Sequence, residues 1–223
     1  KGRLPMTSAL IQLLVLAAIA IFLILRLRNV LGSREGFEKP VAPTRLPDER
    51  KGRFEVIEGG PDRDITDHVP EGSDAARALA AMKQAEPSFS VSEFLTGARG
   101  AYEMILMAFE KGDLARIRPF LSEDVHDAFS EVVAARATRG LTVAAEFLGI
   151  REVTLQDAEF NRATGEGEIT VRFASELTSV ARNASGEVVE GDPKGVRRQR
   201  DVWTFARRMG SNDPNWQLVA TGG

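Results

Sequence analysis

Two histidines, a single tyrosine and no cysteine set the limits of what this chain can catalyse. Without a thiol there is no cysteine nucleophile, no disulfide, no thiolate zinc site and no iron–sulfur cluster. His68 and His126 leave little material for an imidazole metal site or a proton relay. His126 neighbours Asp124 and Asp127, but adjacent residues on a helix point in different directions. No phosphate-binding loop or nucleophile elbow occurs, and Gly165-Glu166-Gly167 reads as a hairpin turn because no βαβ unit surrounds it. One catalytic arrangement stays open: Tyr102 with Asp124, Asp127 or Glu146, if they meet inside the fold. The residues otherwise point to a binding protein, with no catalytic residue, cofactor site or metal site.

Two groups of residues suit binding. Lys194, Arg197, Arg198, Arg200 and Arg207 form a basic cluster that fits anionic lipid, RNA or an acidic partner segment, or simply protects a sheet edge. On a strand, Arg198 and Arg200 share one face, while Arg197 joins Trp203, Phe205 and Arg207 on the other. Tyr102, Phe173, Trp203, Phe205 and Trp216, with Ile105 and Phe109 on the tyrosine's helical stripe, either line a concavity or pack as core.

These residues must be positioned by a few elements. Ser90 or Ser92 can cap a helix in which Phe94, Leu95, Ala98, Tyr102, Ile105, Leu106 and Phe109 recur at three- and four-residue spacing, with Gly112 ending it. Asp113 begins a short segment that Pro119 breaks, and Ser122 caps a helix carrying Val125, Phe129, Val132 and Val133, closed by Gly140. The period then changes from 3.6 to 2. Ile169, Val171 and Phe173 alternate with polar residues, and Trp203 and Phe205 alternate with Val202, Thr204 and Ala206. Asn183-Ala184-Ser185-Gly186 and Asp192-Pro193-Lys194-Gly195 supply turns. Helices followed by an antiparallel meander predict an α+β domain.

The N-terminal part is different in kind. Leu4 to Leu25 has no formal charge, and Leu10, Leu14, Ala17, Ile21 and Leu25 lie in a run long enough for one membrane crossing. Arg26 and Arg28 follow at once, and the basic excess after the span predicts a cytoplasmic C-terminal part by the positive-inside rule. The expected organisation is a flank at 1–7, a transmembrane anchor at 8–25, a flexible and partly acidic linker at 26–87, and one domain at 88–223. Within the linker, Ser73 to Glu86 is Ala-rich enough for a short helix. Net charge is −3, but residues 1–53 carry ten Lys/Arg against four Asp/Glu, so the remainder carries −9 and specific nucleic-acid binding is not expected.

Gly191-Asp192-Pro193, then Asp201-Val202-Trp203-Thr204-Phe205-Ala206-Arg207, then Asp213-Pro214-Asn215-Trp216-Gln217-Leu218, resemble the end of the Tim44-like domain family. Ala101-Tyr102, Gly112-Asp113, Pro119-Phe120-Leu121-Ser122, Phe129 and Gly140 extend the resemblance over residues 88–222. The anchor followed by Arg26 to Pro40 is similar to the bacterial, TimA-type members. The resemblance implies a cone-shaped NTF2-like (cystatin-like) fold, with a four-stranded antiparallel sheet packed on helices and a large hydrophobic pocket. It also implies a non-enzymatic adaptor at the cytoplasmic face of the bacterial inner membrane. Its partners would be translocon or other inner-membrane complex proteins, with anionic lipid and the ribosome as further candidates. The mitochondrial relative recruits a chaperone through a long basic N-terminal region, where this chain has an anchor and an acidic tether.

Overall fold

The computed structural model describes residues 61–222, and the expected anchor residues Leu10, Leu14, Ala17, Ile21, Leu25, Arg26 and Arg28 lie outside them. Among the described residues, no helix is long and apolar enough to cross a membrane. Four α-helices precede the sheet among the described residues: α1 (Arg63–Thr66), α2 (Asp74–Ala85), α3 (Val91–Lys111) and α4 (Glu123–Thr138). Each starts at an oxygen-bearing cap. Asp62, Ser73, Ser90 and Ser122 accept from Asp64 N, Ala76 N, Glu93 N and Val125 N, which satisfies a first-turn amide that has no partner inside the helix. Gly112 closes α3 with a left-handed φ of 74°, and Pro119 sits in a 3-10 turn at Arg118–Phe120.

The folded domain begins earlier than the expected boundary at residue 88. Ile65 and Val69 of the α1 region, and Ala75, Ala76, Leu79 and Met82 of α2, are buried in the hydrophobic core. Residues from Asp62 onward therefore belong to the domain. The Ala-rich segment is a helix because its leucine and methionine share one stripe. That stripe has a sheet to bury against.

The sheet contains β1 (Thr142–Asn161), β2 (Glu166–Arg182), β3 (Val188–Glu190), β4 (Arg197–Arg208) and β5 (Gln217–Gly222). All its strand pairs are antiparallel in the order β1-β2-β4-β5, with β3 pairing to β2. The expected four strands are present, and three-residue β3 adds a fifth beside the last residues of β2. Inward residues of β2 and β4 meet in register as Ile169↔Phe205, Val171↔Trp203 and Phe173↔Asp201. Their burial puts the helix-facing side of both strands into the core.

β1 is an edge strand of 20 residues, long enough to recruit stray strands. Its register to β2 shifts at Phe147/Gly149, Ile150/Glu152 and Leu155/Asp157, leaving Leu148, Arg151 and Gln156 unpaired in sequence step. Each shift is a bulge that bends and twists the edge. The bulges also explain why periodicity does not announce this strand: every extra residue reverses the phase of the alternation.

Candidate functional site

Tyr102, Ile105, Phe173, Trp203 and Phe205 occupy the centre of the domain, whereas Trp216 stands in the wall of an open groove that Phe205 also reaches. Tyr102, Ile105 and Phe173 are fully buried, Phe205 is 2 % exposed and Trp203 4 %. Tyr102 stacks on Phe173 with ring centroids 4.3 Å apart and tilts against Trp203 at 4.6 Å. Phe173 and Trp203 each meet Phe205 edge-on or tilted, at 6.5 and 6.2 Å, and Phe94 continues the series from Phe205 to Trp216. Phe109 lies apart, half-buried between Phe129 at 4.5 Å and the Arg136 guanidinium at 4.7 Å. Inward spacing specifies which side chains face the sheet. It does not specify whether space remains between them, and here offset and edge-on ring packing fills it. The large hydrophobic pocket implied by the family resemblance is therefore not formed by these side chains.

The carboxylate that meets Tyr102 is none of the three expected. Asp124, Asp127 and Glu146 are exposed, and His126 pairs only with exposed Asp127. Instead the Tyr102 hydroxyl donates to Asp201 and lies 2.8 Å from Ser175 Oγ. Gln199 Nε2 donates to both Asp201 oxygens, at 2.8 and 2.9 Å. Burial, and then the neighbouring Asp201 carboxylate, push the phenol well above its ordinary value of 10.0. A phenol that is neutral, bonded and fully enclosed cannot exchange protons with a substrate. The trio joins α3, β2 and β4 as a polar pin through an apolar core. Asp201 was legible in outline: it is the single acid between Arg197 and Arg208, and its parity puts it inward with Trp203 and Phe205.

Open space lies at the surface. A groove of about 370 Å³ runs beside α3, with Phe89, Phe94, Trp216 and Arg207 among its walls and Gly97 and Ala98 on the helix side. Arg207 belongs to this groove and not to a basic surface. Its side chain is 8 % exposed, donates to Glu86 at 2.7 Å and covers the Trp216 ring at 5.2 Å. Its parity with Trp203 and Phe205 turned it inward, and Glu86 neutralises it. Burial raises the Glu86 carboxyl, but the Gly210 amide and the Arg207 guanidinium outweigh that and hold it below its usual range. The Arg207 Nε has no acceptor. A second groove, about 450 Å³, lies between α3 and the start of β1, lined by Met104, Met107, Phe147 and charged residues that include Glu103 and Arg116.

The other basic candidates separate by face. Lys194 sits in the exposed Asp192–Gly195 turn, and Arg197 is exposed on the helix-facing side of β4. Arg198 and Arg200 are exposed on the outer face. Glu176 lies between Arg198 and Arg151, at 3.3 and 2.6 Å, and Arg172 pairs with Glu152 at 2.8 Å. Arg151 and Arg172 complete a guanidinium row across β1, β2 and β4 that the sequence reading missed, because β1 itself was not recognised. Val188, Val189 and Val196 are exposed at the same end of the sheet, at 40, 51 and 55 %. No group of three metal-binding side chains occurs among the described residues.

The family model described as the Tim44-like domain matches residues 75–223. The chain is 25% identical over 151 residues to the human mitochondrial import inner membrane translocase subunit TIM44, covering 66% of this chain and 33% of that protein. It is 21% identical over 144 residues to the Arabidopsis thaliana subunit TIM44-1, covering 64% of this chain and 30% of the relative. This chain thus spans about a third of the curated relatives it matches. A solved structure of the intermembrane-space region of the chloroplast protein ARC6 aligns at 11% identity over 65% of this chain and 94% of that one. Its TM-score of 0.35 is too low to define a common fold.

Proposed function

The chain belongs to the Tim44-like domain family, and from that premise we propose that it is a membrane-associated scaffold in protein translocation. The family is non-catalytic. In the finer reading, a single N-terminal span anchors the protein in the bacterial inner membrane, as in TimA-type members. The domain then stands on the cytoplasmic side and holds a protein of the translocon or of another membrane complex. The human relative is named as a subunit of an import translocase, and that name motivates the partner class.

The observation that carries the proposal is the contrast between a sealed interior and a decorated exterior. An enzyme or acyl-chain carrier needs an enclosed cavity, and Tyr102, Phe173, Trp203 and Phe205 fill the centre of the domain so that the space left lies in open surface grooves. Exposed Val188, Val189 and Val196 beside Lys194, Arg197, Arg198 and Arg200 offer an apolar and cationic surface to a partner. A tether beside the bilayer raises the local concentration of membrane complexes, so each contact can be weak. The test is affinity purification of the full chain from detergent-solubilised membranes. Co-purification of translocase or membrane-complex proteins, lost on Arg197→Glu with Arg200→Glu, is the expected result. Recovery of the bait alone contradicts the proposal.

A further inference from the structure

The segment upstream of α2 grips α3 through one carboxylate. Asp64 Oδ2 accepts from Val91 N at 2.8 Å, and Oδ1 accepts from Ser92 N at 2.9 Å and from the Ser90 hydroxyl at 3.1 Å. Lys83 Nζ lies 2.7 Å from Asp64 Oδ2 and 2.7 Å from Asp62 Oδ2, tying the segment to α2 as well. His68 Nε2 reaches Ser92 Oγ at 3.2 Å, and Ile65 and Val69 are buried beneath. Residues 62–69 are thus a strap across the start of α3. Asp64 serves amides that the helix itself cannot satisfy, and its charge suits the positive end of the helix dipole.

The strapped turn is also a wall of the aromatic groove. Ser90, Glu93 and Phe94 line that groove opposite Trp216 and Arg207, and the Phe94 and Trp216 rings are 4.7 Å apart. Strap and groove therefore share one structural turn. We propose that the strap is a latch on the groove: seated, it fixes the first turn of α3 against Trp216, and released, it lets that turn loosen and the groove widen. Gly97 and Ala98 form the helix side of this groove. The inference rests on contacts within the described domain and not on the adaptor reading.

The test uses the full chain and hydrogen–deuterium exchange with mass spectrometry. In Asp64→Asn, amide exchange should rise at least about tenfold together at 62–69 and at 91–95, since charged acceptors make the stronger hydrogen bonds. Exchange at 169–175 and 201–206 should stay as in the parent. A rise confined to 62–69, or no rise, overturns the latch. If exchange in β2 and β4 also rises, Lys83→Met decides, because it leaves the carboxylate–amide bonds in place. A smaller joint rise at both segments supports the proposal, and any other pattern overturns it. In a Trp203→Phe background Trp216 is the only indole, and its emission should move to the red when Asp64→Asn is added. An unmoved spectrum overturns the link to the groove.

Discussion

The two ends of the sheet are covered very differently. Where β4 finishes, α2 with the residue after it, Glu86, and the first half of α3 close over it. Met82 fills the space above Gly167, where a Cβ would lie 3.0 Å from the methionine methyl carbon, and Glu86 bonds both Arg207 and the Gly210 amide. Where β4 begins, Val188, Val189 and Val196 and the basic residues Lys194, Arg197, Arg198 and Arg200 are exposed, while Leu177, Val180 and Ala181 of the adjoining β2 stay buried. There β3 is drawn so close to β2 that Gly191, at a φ of 87°, has no room for a Cβ against the Ser179 carbonyl. The closed end supplies stability and the bare end supplies surface. A domain of this kind can change its partners without changing its core.

The comparison can be broken by mutation, and the largest effects should fall at the closed, aromatic centre. Phe173→Ala removes a fully buried ring from a cluster of four and should cost about 3–5 kcal/mol in urea denaturation. A loss below about 1 kcal/mol would mean that the interior is looser than it looks. Next comes Glu86→Gln, which leaves a nearly buried guanidinium without its counter-charge and should cost about 2–3 kcal/mol.

Tyr102→Phe comes third, at about 1–2 kcal/mol, because Ser175 and Asp201 each lose a partner while Gln199 still serves the carboxylate. The same residue gives a pH prediction. Its folded-state value lies above its ordinary 10.0, so the unfolded chain releases the proton first and stability falls as pH rises beyond about 10. Tyr102 is the chain's only tyrosine, so ultraviolet absorbance should show no phenolate while the fold persists. At the acid end the sign reverses. Burial pushes the Asp64 carboxyl up, but Lys83, Ser92 and the Val91 amide outweigh it and hold it far below its ordinary value of 3.8. Stability from Asp64 is therefore complete above that value and lost as pH falls below it, and Asp64→Asn should flatten the acid limb.

The smallest effects belong to the bare end. Val189→Thr should stay within about 0.5 kcal/mol of the parent. Arg198→Ala, on a side chain 86 % exposed, should leave the melting temperature unmoved. A large loss from either would mean that this end is structural, and the contrast would fail.

Much of this division is legible in the sequence, and the exceptions have physical causes. The caps Ser90 and Ser122, the glycine stop at Gly112 and the inward parity of Trp203 and Phe205 are local signals, set by backbone donors and strand period. β1 is hidden because three bulges scramble its alternation, and α1 because four residues make barely one turn. The Tyr102–Asp201 bond joins residues 99 apart, so only topology brings them together. Arg207 shows the opposite lesson. Its neighbours in sequence are basic, but its parity with Phe205 placed it inside, and the outlying Glu86 answers its charge.

The central claim is that partners are held at the bare end of the sheet by a domain whose interior admits none. Site-specific photo-crosslinking in intact membranes tests it most directly, with the photoreactive residue at Val189 or Arg200 and, for comparison, at Thr66 on α1. The account predicts discrete protein adducts from Val189 and Arg200, and weaker or no adducts from Thr66. Adducts from Thr66 alone, or none from any of the three, would contradict it.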